Sequence, residues 1–171
     1  MDFGLLILRL VVGLLLAGHG AQKLFGWFGG PGLAGFSGWL ASMGFRPPRF
    51  WAVLAGVCEF SGGILFALGL YSPLGSLLIA ASMLVAIARA HWPKIWVTEG
   101  GLELPLVNLA AVTAVAVAGP GAISLDARAG TMLSGTLTTV GVILVLAGWI
   151  VALVNSGQGR ARQAAGPAGQ A

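Results

Sequence analysis

The sequence predicts an all-α integral membrane helical bundle, a four-helix core followed by a fifth, C-terminal transmembrane helix. Three observations predict it. Hydrophobic residues make up 57% of the 171 and charged residues only 8%, and the mean hydropathy is +0.94, a membrane composition rather than that of a soluble core. Five apolar runs approach the roughly 20 residues that a spanning helix needs. The prolines and most of the charges fall between these runs or at their ends.

Nine basic and five acidic residues cannot form the polar shell of a water-soluble domain. The net charge of +4 therefore reports topology and attraction to anionic lipid, not nucleic-acid binding. The single cysteine, Cys58, excludes an internal disulfide and a cysteine-built metal or iron–sulfur site within one chain. The first apolar run has no positive n-region and no small-residue cleavage site, and it carries Arg9. It reads as a retained helix rather than a signal peptide.

The first span is expected over residues 4–25, where Gly13, Ala17 and Gly20 would let a neighbouring helix approach closely. Residues 26–48 form a connector. Within it Leu33, Phe36, Leu40 and Met43 recur at helical steps, which predicts a short interfacial segment over about 31–45. Pro47 and Pro48 set the start of a second span over 49–70. Ser72 and Pro73 read as an N-cap and first helical residue for a third span over 73–92, stopped by Pro93. Residues 94–101 form a loop with Trp96 as an interfacial anchor. The fourth span covers 102–118 and ends at Gly119-Pro120-Gly121, and residues 122–134 are polar enough for a loop. The fifth span, 135–154, contains no charge. Residues 155–171, rich in Gly, Ala and Gln, are expected to be a disordered tail. The organisation is then a membrane domain over 1–130, an additional helix over 131–155 and a tail over 156–171.

Alternating spans put Lys23, Arg46, Arg49, Arg89, Lys94, Arg160 and Arg162 at one end of the bundle and Arg9 and Arg128 at the other. Seven cations against two place the first end in the cytoplasm, with the N-terminus outside and the C-terminus inside. The location expected is the cytoplasmic (inner) membrane.

The stretch from Gly18 to Gly30 brings His19, Gln22 and Lys23 to the boundary between hydrocarbon and water. Ionisable groups there are costly and need partners. At a rise of about 1.5 Å per residue, His19 lies roughly 9 Å below the surface and Glu59 roughly 13 Å, close to mid-membrane. His91, Lys23 and Glu103 sit near the same surface. His19 and Lys23, four apart, share a helix face. Arg9 lies roughly 10 Å along the axis from Glu59, within reach of two long side chains. A carboxylate as deep as Glu59 must be paired, protonated or hydrated, so Glu59 and His19 are the candidate catalytic residues. His19, Gln22, Lys23, Arg9, His91 and Glu103 are the candidate ligand-binding set. Structural placement competes for several of them. Lys23, Arg89 and His91 suit helix C-termini and Glu103 a helix N-terminus, Lys23 and Arg9 can snorkel, and Cys58 suits apolar packing. Two histidines at different depths do not suit a pair of haem ligands, and no close spacing of ligands suggests a metal. No haem, flavin or metal is expected.

These residues resemble the DoxX family. The resemblance rests on Arg9-Leu10 with Gly13, then His19-Gly20-x-Gln22-Lys23-Leu24-Phe25-Gly26-Trp27-Phe28-Gly29-Gly30. It continues in Ala55-Gly56-x-x-Glu59-x-x-Gly62-Gly63, Pro73-Leu74, Met83, His91, Gly100-Gly101-x-Glu103, Gly119-Pro120-Gly121 and Ser124-Leu125-Asp126. It covers about residues 4–127. The fifth span, the tail and Pro105 depart from the family pattern. The resemblance implies a small bundle of four membrane helices. The family takes its name from a subunit associated with a terminal quinol oxidase, and its wider group includes the membrane subunit of thiosulfate–quinone oxidoreductase. It thus implies a membrane subunit of a quinone-linked oxidoreductase, with electrons supplied by a soluble redox protein or a second subunit. Quinone is the cofactor this suggests. Two other readings stay open: a scaffold anchoring soluble redox partners through Phe36, Trp39 and Lys94, and a carrier of small solutes or protons through Glu59. Besides the lipid bilayer, a homo-oligomeric partner fits so short a chain; nucleic acid does not.

Overall fold

The computed structural model describes residues 1–165. All regular structure among them is helical. Helix α1 (Asp2–Phe25) runs the length of the first apolar stretch and stops at Gly26. A short helix α2 (Gly32–Ser42) follows, and then α3 (Pro48–Leu68), with proline in its first turn. Helix α4 (Leu74–Val85) passes without a break into a π-helical segment, Ala86–His91. Helix α5 (Glu103–Ala118) and the five-residue α6 (Leu125–Ala129) precede the last helix, α7 (Gly135–Ala164). Serines cap the last two: Ser124 Oγ accepts from Ala127 N and Ser134 Oγ from Leu137 N.

Four helical stretches are long and apolar enough to cross a membrane: Asp2–Phe25, Pro48–Leu68, Leu74–His91 and Gly135–Ala164. The 16-residue α5 is also apolar, but it is only about 24 Å long against a hydrocarbon core of about 30 Å. The chain is an all-α membrane bundle.

The tightest packing joins α1 to α3, and glycine makes it. A Cβ on Gly20 would sit 2.3 Å from the backbone nitrogen of Phe60, and one on Gly63 2.5 Å from that of Ala17. The two backbones are therefore nearly in contact, as small residues permit between membrane helices. Beside this seam Leu16, Phe66, Ile79, Met83, Val112 and Val115 form the main apolar core. A second core gathers Phe36, Leu40, Phe45, Ala52 and Ala152 where α2 and the start of α3 meet α7.

Hydrogen bonds fix which connections share an end of the bundle. At one end Asp2 Oδ1 accepts from Ala122 N, and Asp126 accepts from Tyr71 N and Ser72 N. At the other, Asn155 bonds both the N–H and the C=O of Arg46, and His91 meets Gly100 O. The alternation of ends is the one read from the sequence.

Three sequence expectations are corrected. Ser72 does not cap the third span: α4 starts at Leu74, so the N-cap position falls on Pro73, which has no side-chain acceptor, and Ser72 lies in the preceding turn with its N–H donating to Asp126. The 122–134 loop contains α6. The expected disordered tail is helical to Ala164, and only 166–171 lie outside the described residues. Tertiary contact overrides composition there. Asn155 holds Arg46, Arg160 Nε donates to Met43 O at 3.1 Å, and Gln163 Nε2 donates to Ala41 O at 3.0 Å.

Candidate functional site

Glu59 stands in the middle of α3, on a side chain that is only 2% exposed. Its Oε1 is bonded by the Lys23 ammonium from the end of α1 and by Ser82 Oγ from α4, at 2.6 Å. Three helices thus converge on one carboxylate. The α1–α3 seam makes this convergence reachable, because helices that close leave only a side-chain length between them. Lys23 has a flexible stem and leans back to Glu59 while its ammonium sits 5.0 Å from the centroid of the Phe36 ring, a cation–π distance. Phe36 belongs to α2, so the short helix covers the lysine. The second carboxylate oxygen, Oε2, is buried with no protein partner.

Lys23 and Ser82 form part of the wall of a cavity of about 640 Å³, the size of a small-molecule site. The wall is overwhelmingly apolar and rich in rings, with Phe36, Trp39, Phe45, Trp51 and Trp149 among its residues. Cys58 borders it as well. Helix α7 supplies one side and packs chiefly on α4, held there by Trp149 Nε1 donating to Leu84 O at 3.2 Å. Arg89 and His91, from the π-helical segment, complete the polar part of the wall. A π-turn shifts the side chains that follow it relative to a regular helix, and these are the two residues it carries.

The predicted residues do not all converge. Lys23 and His91 border the cavity and Glu59 lies directly behind Lys23 and Ser82. His19 does not join them. It is exposed, and its Nδ1 pairs with Gln22 Oε1 at 3.1 Å. Although His19 and Lys23 share a helix face, the imidazole is too short to follow the lysine stem across the seam. Gln22 donates weakly to Phe28 O at 3.5 Å, so it braces the aromatic loop after α1. Arg9 is not a partner of Glu59 either. It is 1% exposed and donates to Ile123 O beyond α5, with the Asp126 charge nearby. The backbone carbonyl of that loop and the Asp126 charge hold Arg9 at its own end of the bundle, although its Nε and second terminal nitrogen are buried without a protein partner. Glu103 Oε2 accepts from Val97 N at 3.0 Å, and His91 Nδ1 meets Gly100 O at 2.7 Å. Both organise the 92–102 loop. Among the described residues no three His, Cys, Asp or Glu side chains gather as a metal-ligand set.

Sequence reasoning missed Ser82, Arg89 and Asp126 as working residues. A serine in an apolar run was the signal for Ser82. Asp126 shares its end with Arg9, which the side assignment already implied. Asp126 is buried, and burial pushes its carboxyl up. Hydrogen bonds from Thr131, Ser72 and Tyr71 outweigh this and hold it below its ordinary value.

Fold and site define a small helical membrane protein with an ion-paired carboxylate behind an apolar cavity. The DoxX family model matches residues 4–92, and the chain belongs to the DoxX family. It is 34% identical over 127 residues to the inner membrane protein YphA of Escherichia coli (strain K12), an alignment that covers 67% of this chain and 89% of that protein. No solved structure matches. The family match includes Lys23, Glu59, Ser82, Arg89 and His91 and ends before α7.

Proposed function

We propose that the chain is a membrane subunit of a quinone-linked redox system in the inner membrane, with the quinone headgroup held at Lys23, Ser82 and Glu59. The observation that carries this reading is the position of Lys23 and Ser82 at the wall of an otherwise apolar, ring-lined cavity, with Glu59 bonded to both directly behind them. A quinone needs that combination: apolar walls for the ring, and donors for its two carbonyl oxygens. The buried, unpartnered Glu59 Oε2 suits a group that must give or take a proton. The name of the Escherichia coli relative supports the inner membrane. The seven cations gathered at the cavity's end of the bundle support a cytoplasmic orientation for that end.

When bound, a quinone supplies two-electron, two-proton redox chemistry. The Lys23 ammonium donates toward an oxygen that gains negative charge on reduction, an interaction that strengthens as the charge develops. Ser82 rotates its hydroxyl between Glu59 and the same oxygen. Glu59 is the group placed to pass a proton through its unpartnered Oε2, with exchange on the Lys23 side, which is 24% exposed. Walls of Trp and Phe keep bulk water away from that exchange. Electrons come from a soluble partner or a second subunit.

The test is tryptophan quenching in nanodiscs by a short-chain ubiquinone or menaquinone analogue, read from Trp39, Trp51 and Trp149. Saturable quenching is expected, with affinity at least tenfold weaker in Lys23→Gln and unchanged in His19→Ala. Absence of saturable quenching by folded wild-type protein overturns the proposal.

A further inference from the structure

The rim of the same cavity carries a second polar feature that the trio at Glu59 does not use. Arg89 is half-buried between α4 and α7. One of its terminal nitrogens donates to Leu153 O, and its Nε is buried without a protein partner. Gly157 on α7 leaves room for it, since a Cβ there would come within 3.4 Å of Arg89 Nη2. Arg160 follows one turn beyond Gly157 on α7. It is pinned in place by its bond to Met43 O. Among the described residues no carboxylate is paired with either guanidinium. Glu59 is bonded to Lys23, Glu103 is bonded to Val97 N, and Glu99 is exposed in the 97–99 turn.

Two arginines brought together with no acid between them leave positive charge that the protein does not compensate. Both lie on the cation-rich end of the bundle, the end that also carries Arg46, Arg49 and Lys94. The apolar cavity that Arg89 borders opens beside them. Basic pockets between transmembrane helices, with apolar surface running away from them, match a phospholipid: phosphate at the mouth, acyl chain along the wall. We infer that Arg89 and Arg160 form a headgroup site for an anionic phospholipid, whose chain lies along the cavity wall beside α7. Ser82 and Arg89 are separated by about 10 Å along their helix, so the headgroup position is distinct from the one at Glu59, although both open on the same cavity.

The geometry also gives α7 a reason to extend beyond the membrane. Its last three turns carry Arg160 to the headgroup level and lock it against the connector through Asn155 and Gln163. An α7 ending at residue 154 would leave Arg89 alone.

The experiment uses the full chain in detergent, with brominated phosphatidylglycerol or brominated phosphatidylcholine titrated as quenchers of Trp149, which borders the cavity. Phosphatidylglycerol is expected to be preferred about fivefold or more, the factor one cation near an anionic lipid supplies. The preference should fall about fivefold in Arg160→Gln and in Arg89→Gln and persist undiminished in Arg162→Gln, an exposed arginine on the same helix. Should Arg89→Gln fail to fold, Arg160→Gln carries the test. Equal quenching by both lipids in the wild type overturns the proposal, as does a preference that is undiminished in folded Arg160→Gln. Binding of inorganic phosphate without any lipid preference assigns the arginines to a soluble anion and overturns the lipid assignment.

Discussion

Lys23 and Glu59, 36 residues apart in sequence, form the one ion pair between side chains of the described residues. It crosses the seam where α1 and α3 touch. Glu59 is almost wholly buried while Lys23 keeps 24% of its side chain exposed, so the two ends of the pair are not equivalent. Removing the lysine strands a buried carboxylate; removing the carboxylate leaves an ammonium that can turn toward water.

The first prediction follows from that asymmetry. Breaking a buried pair from one side costs about 3–5 kcal/mol, and partial exposure of Lys23 puts this pair at or below the lower figure. Lys23→Met should therefore destabilise by about 3 kcal/mol, and Glu59→Gln by clearly less. The double variant should recover part of the lysine loss. Denaturant unfolding in mixed micelles, run as a double-mutant cycle, measures all three; equal losses in both single variants contradict the account.

The α1–α3 seam makes a second prediction. Gly20→Ala and Gly63→Ala each place a carbon inside the opposing backbone and should separate the helices, lowering folded yield and stability by about 2 kcal/mol or more. Gly18 lies on the same helix with open space around it. Gly18→Ala should be neutral or stabilising by up to about 1 kcal/mol. Size-exclusion profiles and thermal midpoints of the three variants distinguish packing from helix propensity.

Much of this was legible because membrane helices announce themselves by composition. The spans, the alternation of ends and the importance of Glu59 all follow from length, hydropathy and the cost of a deep charge. Helix rotation does not. Placing His19, Lys23 and Arg9 by depth put all three near Glu59, yet depth fixes only one coordinate. Rotation sends His19 outward to Gln22, and the loop after α5 captures Arg9. The cavity was illegible for the same reason, since its wall combines α2, α3, α4 and α7. Nothing local marks Arg89 as facing a distant Arg160.

Asp126 carries the pH dependence. Its carboxyl is held below its ordinary value in the folded protein, so it contributes stability that is fully present above the unfolded value of about 3.9. That contribution is lost as pH falls through the lower, folded value. Asp126→Asn removes it. The stability gap between wild type and Asp126→Asn should be about 2 kcal/mol at pH 7, since a charged acceptor of several N–H and O–H donors is lost. The gap should shrink steadily as pH falls below about 4. A gap independent of pH between 7 and 3 contradicts a depressed carboxyl. Thr131→Val, which removes one of its donors, should reproduce a fraction of the effect.

The end of α7 tests whether a Gly- and Ala-rich sequence is ordered by contact alone. A Cβ on Gly159 would fall 1.8 Å from Gly44 O, and Gly44 itself sits at φ 89°, a conformation that resists a side chain. The two glycines are thus the point where α7 touches the connector, flanked by the bonds of Asn155 and Arg160. Gly159→Val cannot keep that contact. The last turns of α7 should detach and fray, because an isolated helical end of this length has little stability of its own. Trypsin cleavage after Arg160 and Arg162 should then accelerate at least tenfold. The thermal midpoint of the bundle should move little, since α1, α3 and α4 do not depend on that contact. Cleavage at the wild-type rate in Gly159→Val means the helix end is held by something other than the Gly44–Gly159 contact with the connector.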